Sequence, residues 1–214
     1  MQMPPLPDAI ICHPVGTLKK HSCYEQAKNG DLQAALAVAR DVITEDVVAN
    51  LRSIKADAIL GVLGMEERGL NMISSACAMR LAKAMDLRLC LGVYKKAGAI
   101  RTQLHGLERV FARPIFAGKV VGNRRLVLLD DTLTQGGTIA ALAEHVQGQG
   151  AQVAAIVAIT GKQYSAQLAL SVTTLKLLRE QLGHWEQDFI RMTGRSFQHM
   201  TESEGRYLLR QSIQ

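Results

Sequence analysis

The chain has 214 residues, 48% of them apolar, four cysteines and a formal net charge of +6. That is enough apolar matter for one sizeable core, and no apolar run approaches the roughly 20 residues of a membrane-spanning helix. The opening MQMPPLPDAI lacks the basic and apolar regions of a secretory signal, and Cys12, Cys23, Cys77 and Cys90 are widely spaced without a CxxC pair. A soluble, cytoplasmic protein with reduced thiols is expected.

Ala9 to Cys12 form a short apolar run that His13-Pro14 ends. Asn29-Gly30-Asp31 is a turn in which Asp31 suits the cap of the helix that follows. Leu32, Ala35, Leu36, Ala39 and Ile43 fall on one face of that helix, and a second short helix is expected over 46–54. Cys12, His13, His21 and Cys23 match no standard zinc spacing, so packing and surface roles are expected of them.

Ala58 to Leu63 has the composition of a buried strand. It runs into Gly64-Met65-Glu66-Glu67-Arg68-Gly69 and then a helix carrying Ile73, Ala76, Cys77, Leu81 and Ala84 on one face. Two strand-turn-helix units in one chain, this one and the one described next, imply parallel strands joined by crossovers. Leu87 to Val93 supplies another strand. Beyond it, Ala97 to Lys119 shows no sustained periodicity, and loops this long are commonly functional lids. The charge sits here. Lys95, Lys96, Arg101, Arg109, Arg113, Lys119, Arg124 and Arg125 face only Glu108 between Tyr94 and Arg125, so this segment carries the whole positive excess. Such focusing suits a polyanionic small substrate better than a nucleic acid, whose binders spread charge along a face.

Arg125 to Thr138, RLVLLDDTLTQGGT, is the centre of the chain. Leu126 to Leu129 form a strand apolar on both faces, which Asp130 and Asp131 are expected to end. Thr134-Gln135-Gly136-Gly137-Thr138 then makes a small-residue turn, and Ile139, Leu142, Ala143 and Val146 give the next helix its apolar face. Glycines at such a turn can take positive φ and let backbone approach a ligand. Unpaired N–H groups at a helix start, with the helix dipole, favour an anion. Adjacent carboxylates can accept from vicinal hydroxyls or hold Mg²⁺ through oxygen. A phosphate beside a diol describes a phosphorylated sugar. No Gly-Lys-Ser/Thr follows the turn, which excludes a Walker loop.

Gly148 and Gly150 end the helix, and Val153 to Ile159 form a further buried strand. Lys162 and Tyr164 lie beyond its carboxyl end, where open α/β sheets collect ligands, and are candidate nucleobase contacts. Leu168 to Leu170 is a possible short strand, Ser171 caps a helix that Gly183 ends, and Thr201-Glu202-Ser203-Glu204 is a capping box for the last helix. Trp185, the single tryptophan, is expected to pack these helices together.

VLLDDTLTQGGT resembles the phosphoribosyl-diphosphate (PRPP) binding motif of the type I phosphoribosyltransferases: apolar strand, two acids, short loop, Gly-Gly-Thr. The resemblance covers about 55–160. It implies an α/β protein with the type I phosphoribosyltransferase fold, a mainly parallel sheet flanked by helices. Residues 1–55 would then be an N-terminal helical appendage or hood, 56–165 the core, and 166–214 a C-terminal helical extension. By the same resemblance the 5′-phosphate of PRPP meets Thr134, Gln135, Gly136, Gly137 and Thr138. Its ribose hydroxyls meet Asp130 and Asp131, which also serve Mg²⁺ through PRPP or water. GMEERG is similar to the diphosphate-binding loop of adenine-type enzymes, which assigns Glu67, Arg68 and Gly69 to the leaving diphosphate. Tyr94 to Ile100 partly resembles the Arg-Lys-x-Gly-Lys-Leu start of their mobile loop, with Ala99 in place of a lysine; Lys95 and Lys96 are the catalytic cations it implies.

Thr134 and Gly137 stand where 6-oxopurine enzymes carry an aspartate and a lysine, so the loops look like those of orotate- or adenine-type enzymes. Gln135 is longer than the small residue common at its place. The implied activity is transfer of ribose 5-phosphate from PRPP to a nucleobase-like nitrogen, releasing diphosphate, by a homodimer that engages neither membrane nor nucleic acid. The alternative is a non-catalytic PRPP- or nucleotide-sensing regulator on the same fold, although the residues before the core show no helix-turn-helix.

Overall fold

The computed structural model describes residues 4–66, 69–96 and 106–211. Its centre is a five-stranded parallel sheet: β1 (Ala9–Pro14), β9 (Gln152–Gly161), β8 (Arg125–Leu133), β2 (Ala58–Gly61) and β5 (Arg88–Leu89), in that spatial order. Every pairing in it is parallel. The fold is α/β, as the strand-turn-helix pattern implies. The sheet takes its edge strand β1 from the segment 1–55, whose other elements are helices: α1 (Tyr24–Lys28), α2 (Leu32–Val42) and α3 (Glu45–Leu51).

Strand periodicity divides the core in two. Ile59, Val127, Leu129, Val157 and Ile159 face α2, α3 and α4 (Ile73–Met85), where Val38, Ile43, Leu51 and Leu81 cover them. Leu60, Leu126, Leu128 and Ile156 face the other way, onto Ile139, Leu142 and Val146 of α6 (Gly137–Gln147). Leu126, Val127, Leu128 and Leu129 are each 1% exposed or less, so both faces of β8 are sealed. Each such burial stabilises by about 1.5–3 kcal/mol. Cys77 lies in the first half of this core, fully buried, where desolvation raises its thiol far above the ordinary value.

Three expectations change. Gly64 to Asn71 is not a plain turn but a small antiparallel hairpin, β3 (Gly64–Glu66) and β4 (Gly69–Asn71). The single strand expected over 87–93 is two, β5 and β6 (Val93–Lys95), which belong to different sheets. The stretch 97–119 contains α5 (Gly106–Phe111) and β7 (Phe116–Gly118). Strands β4, β3, β6 and β7 form a second, four-stranded sheet. Residues as short-lived in pattern as Phe116-Ala-Gly118 leave no periodicity to read.

The C-terminal residues build α7 (Val172–Leu182), α8 (Glu186–Thr193) and α9 (Glu202–Gln211). Their core holds Leu178, Phe189, Phe197, Met200 and Leu208. Trp185 packs edge-on against Phe111 at 5.5 Å and against Phe189 and Phe197. Phe111 and Val110 come from α5, so this module also holds the foot of the basic segment. Ser171 accepts from the Thr174 N–H as the cap of α7.

Candidate functional site

In an open parallel sheet, ligands collect where two neighbouring strands send their crossovers in opposite directions. Here β8 leads through α6 to β9, while β2 leads through α4 to β5 on the other side. Helices α6 and α4 cover opposite faces. The crevice therefore opens at the carboxyl ends of β8 and β2; Asp130, Asp131 and the 134–138 turn lie on β8 and the loop that leaves it, whereas Lys95 and Lys96 end β6 of the second sheet and Lys162 and Tyr164 follow β9.

Asp130 and Asp131 do not end β8. The strand continues to Leu133, with Asp130 opposite Ala158 and Thr132 opposite Thr160 of β9. The β2 ladder stops at Leu129, but pairing with β9 on the other flank keeps the backbone extended through two residues that alone would favour a turn. The consequence is burial: the acids are 8% and 7% exposed. Asp130 Oδ1 accepts from the Asp131 N–H at 2.9 Å. Burial first, and the Asp131 charge second, push the Asp130 carboxyl well above the usual carboxylate range.

Asp131 has partners that sequence reasoning missed. Its Oδ2 accepts from Asn71 Nδ2 at 2.8 Å and lies 3.4 Å from Lys28 Nζ. Asn71 is itself buried, and its Oδ1 accepts from the Ile73 N–H, so one amide group links the start of α4 to the acid. Lys28 comes from the last turn of α1. No motif marked either residue. The Asn29-Gly30-Asp31 turn was legible, but not that Gly69 (φ +141) would pack its backbone against Asn29 and bring α1 to the site. On β9, Thr160 Oγ1 donates to the Asp131 carbonyl at 3.1 Å and meets Thr132 Oγ1 at the same distance.

The turn after β8 has one left-handed glycine, not two. Gly136 (φ 79°, ψ −4°) caps α6, while Gly137 is already its first helical residue. A Cβ on Gly136 would lie 2.6 Å from Leu168 Cδ2 and 3.3 Å from Thr201 Cγ2, so both the backbone angle and the space demand glycine. Thr134 is exposed, and Gln135 and Thr138 are half-buried.

Among the other candidates, Gly69 starts β4, whereas Glu67 and Arg68 lie outside the described residues. Lys95 ends β6 beside Gly64, and Lys96 is exposed just after it. Lys162 and the exposed Tyr164 follow β9, the ammonium 5.5 Å from the ring centroid. His13 bonds the Val42 carbonyl and His21 pairs with Asp41, which gives these two histidines structural contacts. The basic segment loses part of its free charge. Arg113 is buried between Glu144 and Glu204, and Arg125 pairs with Asp57. Residues 97–105 of the expected lid are outside the described residues.

The donors at β8 suit a hard cation in kind, being carboxylate oxygens. Among the described residues, however, no three His, Cys, Asp or Glu side chains group closely enough to hold a metal by themselves. Nor is any described helix long and apolar enough to cross a membrane.

No protein-family model matches the chain. It is 30% identical over 202 residues to Protein TraN of Escherichia coli, an alignment covering 91% of this chain and 44% of that protein. It is 36% identical over 143 residues to an uncharacterized protein of Haemophilus influenzae, covering 65% and 32%. The chain thus spans less than half the length of these curated relatives. Similar solved structures include an adenine phosphoribosyltransferase from Thermoanaerobacter pseudethanolicus (23% identity, TM-score 0.42, 63% of this chain and 74% of that one). Others are a purine phosphoribosyltransferase from Pyrococcus horikoshii (20%, 0.40, 58% and 83%) and Leishmania donovani UMP synthase (20%, 0.39, 83% and 33%). At these identities and scores the likeness carries no activity across to this chain.

Proposed function

We propose that the chain is a phosphoribosyltransferase that moves ribose 5-phosphate from PRPP to a nucleobase-like nitrogen, with release of diphosphate. One observation carries the reading. Two adjacent buried carboxylates sit at the carboxyl end of the central parallel strand, just before a turn whose left-handed glycine opens a helix. Acceptors for a diol and backbone donors for a phosphate are thereby held at fixed spacing on one rigid unit. In this reading the helix start at Gly136 to Thr138, with Thr134, takes the 5′-phosphate, and Asp130 and Asp131 take the ribose hydroxyls.

Mg²⁺ would enter with the diphosphate of PRPP, the acids of β8 meeting it directly or through water, and would supply charge neutralisation to the leaving group. Gly69, with Glu67 and Arg68, would serve the diphosphate, and Lys95 and Lys96 would add positive charge. Lys162 and Tyr164 would border the acceptor. The test is diphosphate release from PRPP and Mg²⁺ with a panel of nucleobases, orotate and related amines. Release dependent on one acceptor supports the assignment. No release with any acceptor, together with no heat on titrating PRPP and Mg²⁺, would end it.

A second reading draws on Asp131, whose Oδ2 is already engaged by Lys28 and Asn71. A protein that senses PRPP or a nucleotide without turnover needs only a site that exchanges those partners for ligand. PRPP binding without diphosphate release selects it.

A further inference from the structure

The phosphate turn is bonded to the C-terminal module. Thr201 Oγ1 donates to the Gln135 carbonyl at 2.5 Å. The same hydroxyl accepts from the Glu204 N–H at 3.1 Å, and Glu204 Oε2 accepts from the Thr201 N–H at 2.9 Å. The capping box at the start of α9 therefore has a second use. Glu204 is fully buried, and its carboxylate is held by Arg113, from Nη2 at 2.5 Å and Nε at 3.3 Å. Arg113 also donates to Glu144 Oε1 on α6 and to the His199 carbonyl, each at 2.8 Å. Burial works against the charge on Arg113, yet the Glu204 and Glu144 carboxylates outweigh it and hold the guanidinium more firmly charged.

A trans peptide sets its carbonyl and the next N–H in opposite directions. Fixing the Gln135 carbonyl on Thr201 thus aims the Gly136 N–H away from the C-terminal module. Leu168 and Thr201 leave no space for a side chain at Gly136, so the same module also restricts this left-handed position to glycine. An isolated bridge between Ala169 and Thr201 ties these two contacts together.

We infer that Thr201, held by Glu204 and Arg113, is a positioning residue for the anion-binding turn, making the C-terminal module a working part of the site. This rests on the phosphate-binding role proposed above. It links the turn to the foot of the basic segment, since Arg113 follows α5 after Ala112.

The experiment compares the full chain carrying Thr201→Val or Thr201→Ser with wild type. Two quantities are read: ribose 5-phosphate affinity by calorimetry, and amide exchange over 136–140 without ligand. Thr201→Val loses both bonds of the hydroxyl, and loss of the one to the Gln135 carbonyl predicts affinity about three- to tenfold weaker. Exchange of the turn amides is faster in that variant, and Thr201→Ser restores both readings. Wild-type affinity and exchange in Thr201→Val would overturn the inference. If wild type itself binds no ribose 5-phosphate, the phosphate-binding role falls, and the exchange reading alone decides whether Thr201 fixes the turn. Should Thr201→Val fail to fold, Arg113→Lys reads the relay from its other end. One ammonium cannot span Glu144, Glu204 and the His199 carbonyl as the fork does, so faster exchange over 136–140 is expected and an unchanged rate counts against the relay.

Discussion

Among the described residues, carboxylates are buried in two places, and they are treated differently. In the C-terminal module, Glu204 meets a guanidinium and a backbone N–H, and Glu202 accepts from the Ser171 N–H, the Thr174 hydroxyl and Arg206. Burial opposes ionisation of Glu202, but those donors win and hold its carboxyl below the usual range. Near the end of β8, Asp131 takes one lysine 3.4 Å away and one amide, and Asp130 accepts from the Asp131 N–H. There desolvation wins for Asp130. A fold that satisfies buried acids fully in one region leaves Asp130 under-compensated in another. In the proposed function this second region is where a ligand's hydroxyls or cation would complete the set.

The contrast can be broken from either side. The largest effect is expected from replacing both acids, Asp130→Asn with Asp131→Asn: diphosphate release in the PRPP assay falls to background while circular dichroism and the unfolding transition persist. Undiminished release refutes the roles given to the acids. Next comes Arg113→Met, which strands Glu204 without its cation in a dry interior. A loss of about 3–5 kcal/mol is expected by denaturant unfolding, far above what removing an exposed ion pair such as Lys176–Glu180 costs.

The pH dependence of stability separates the regions by sign. Asp130 has a raised carboxyl in the folded chain, so its contribution is full below the ordinary aspartate value and is lost as pH rises through the folded one. Asp130→Asn should therefore gain on wild type as pH rises above the ordinary aspartate value. Glu202 behaves oppositely. Its depressed carboxyl stabilises above the ordinary glutamate value, and that advantage over Glu202→Gln disappears as the solution is acidified. Unfolding free energies at a series of pH values check both, and parallel curves for the two variants would erase the distinction. The smallest effect is Ser171→Ala at the cap of α7, about 1 kcal/mol by thermal unfolding.

Much of this was legible in the sequence because it was local. The continuous apolar run from Leu126 to Leu129, the Asp31 and Ser171 caps, the Thr201–Glu204 box and the Gly136 turn each depend on neighbours a few residues away. What stayed hidden depends on distant partners. Asp130 and Asp131 look like strand-ending residues, yet β9 on one side and β2 on the other carry the ladder past Leu129 or up to it. Lys28 and Asn71 lie in unremarkable surroundings, and the packing of Gly69 on Asn29 together with the Met72 N–H bond to the Ala27 carbonyl brings α1 over the acid. Arg113 counted as one of eight free cations because Glu144 and Glu204 are far along the chain. Short strands such as β6 and β7 carry too few residues for a period to show.

The edge of the main sheet carries a consequence for assembly of the fold. Ala9 pairs with Ile156 and His13 with Thr160, so β1 has its partner only after all the elements between it and β9 have been made. During translation β1 must stay unpaired, an apolar ribbon awaiting a template, while the helices after it can already associate. Closing so long a loop is entropically slow, and non-local pairing of this kind lowers folding rates. Docking of β1 is therefore expected late in the assembly of this sheet, and the unsealed intermediate is the species a chaperone would meet.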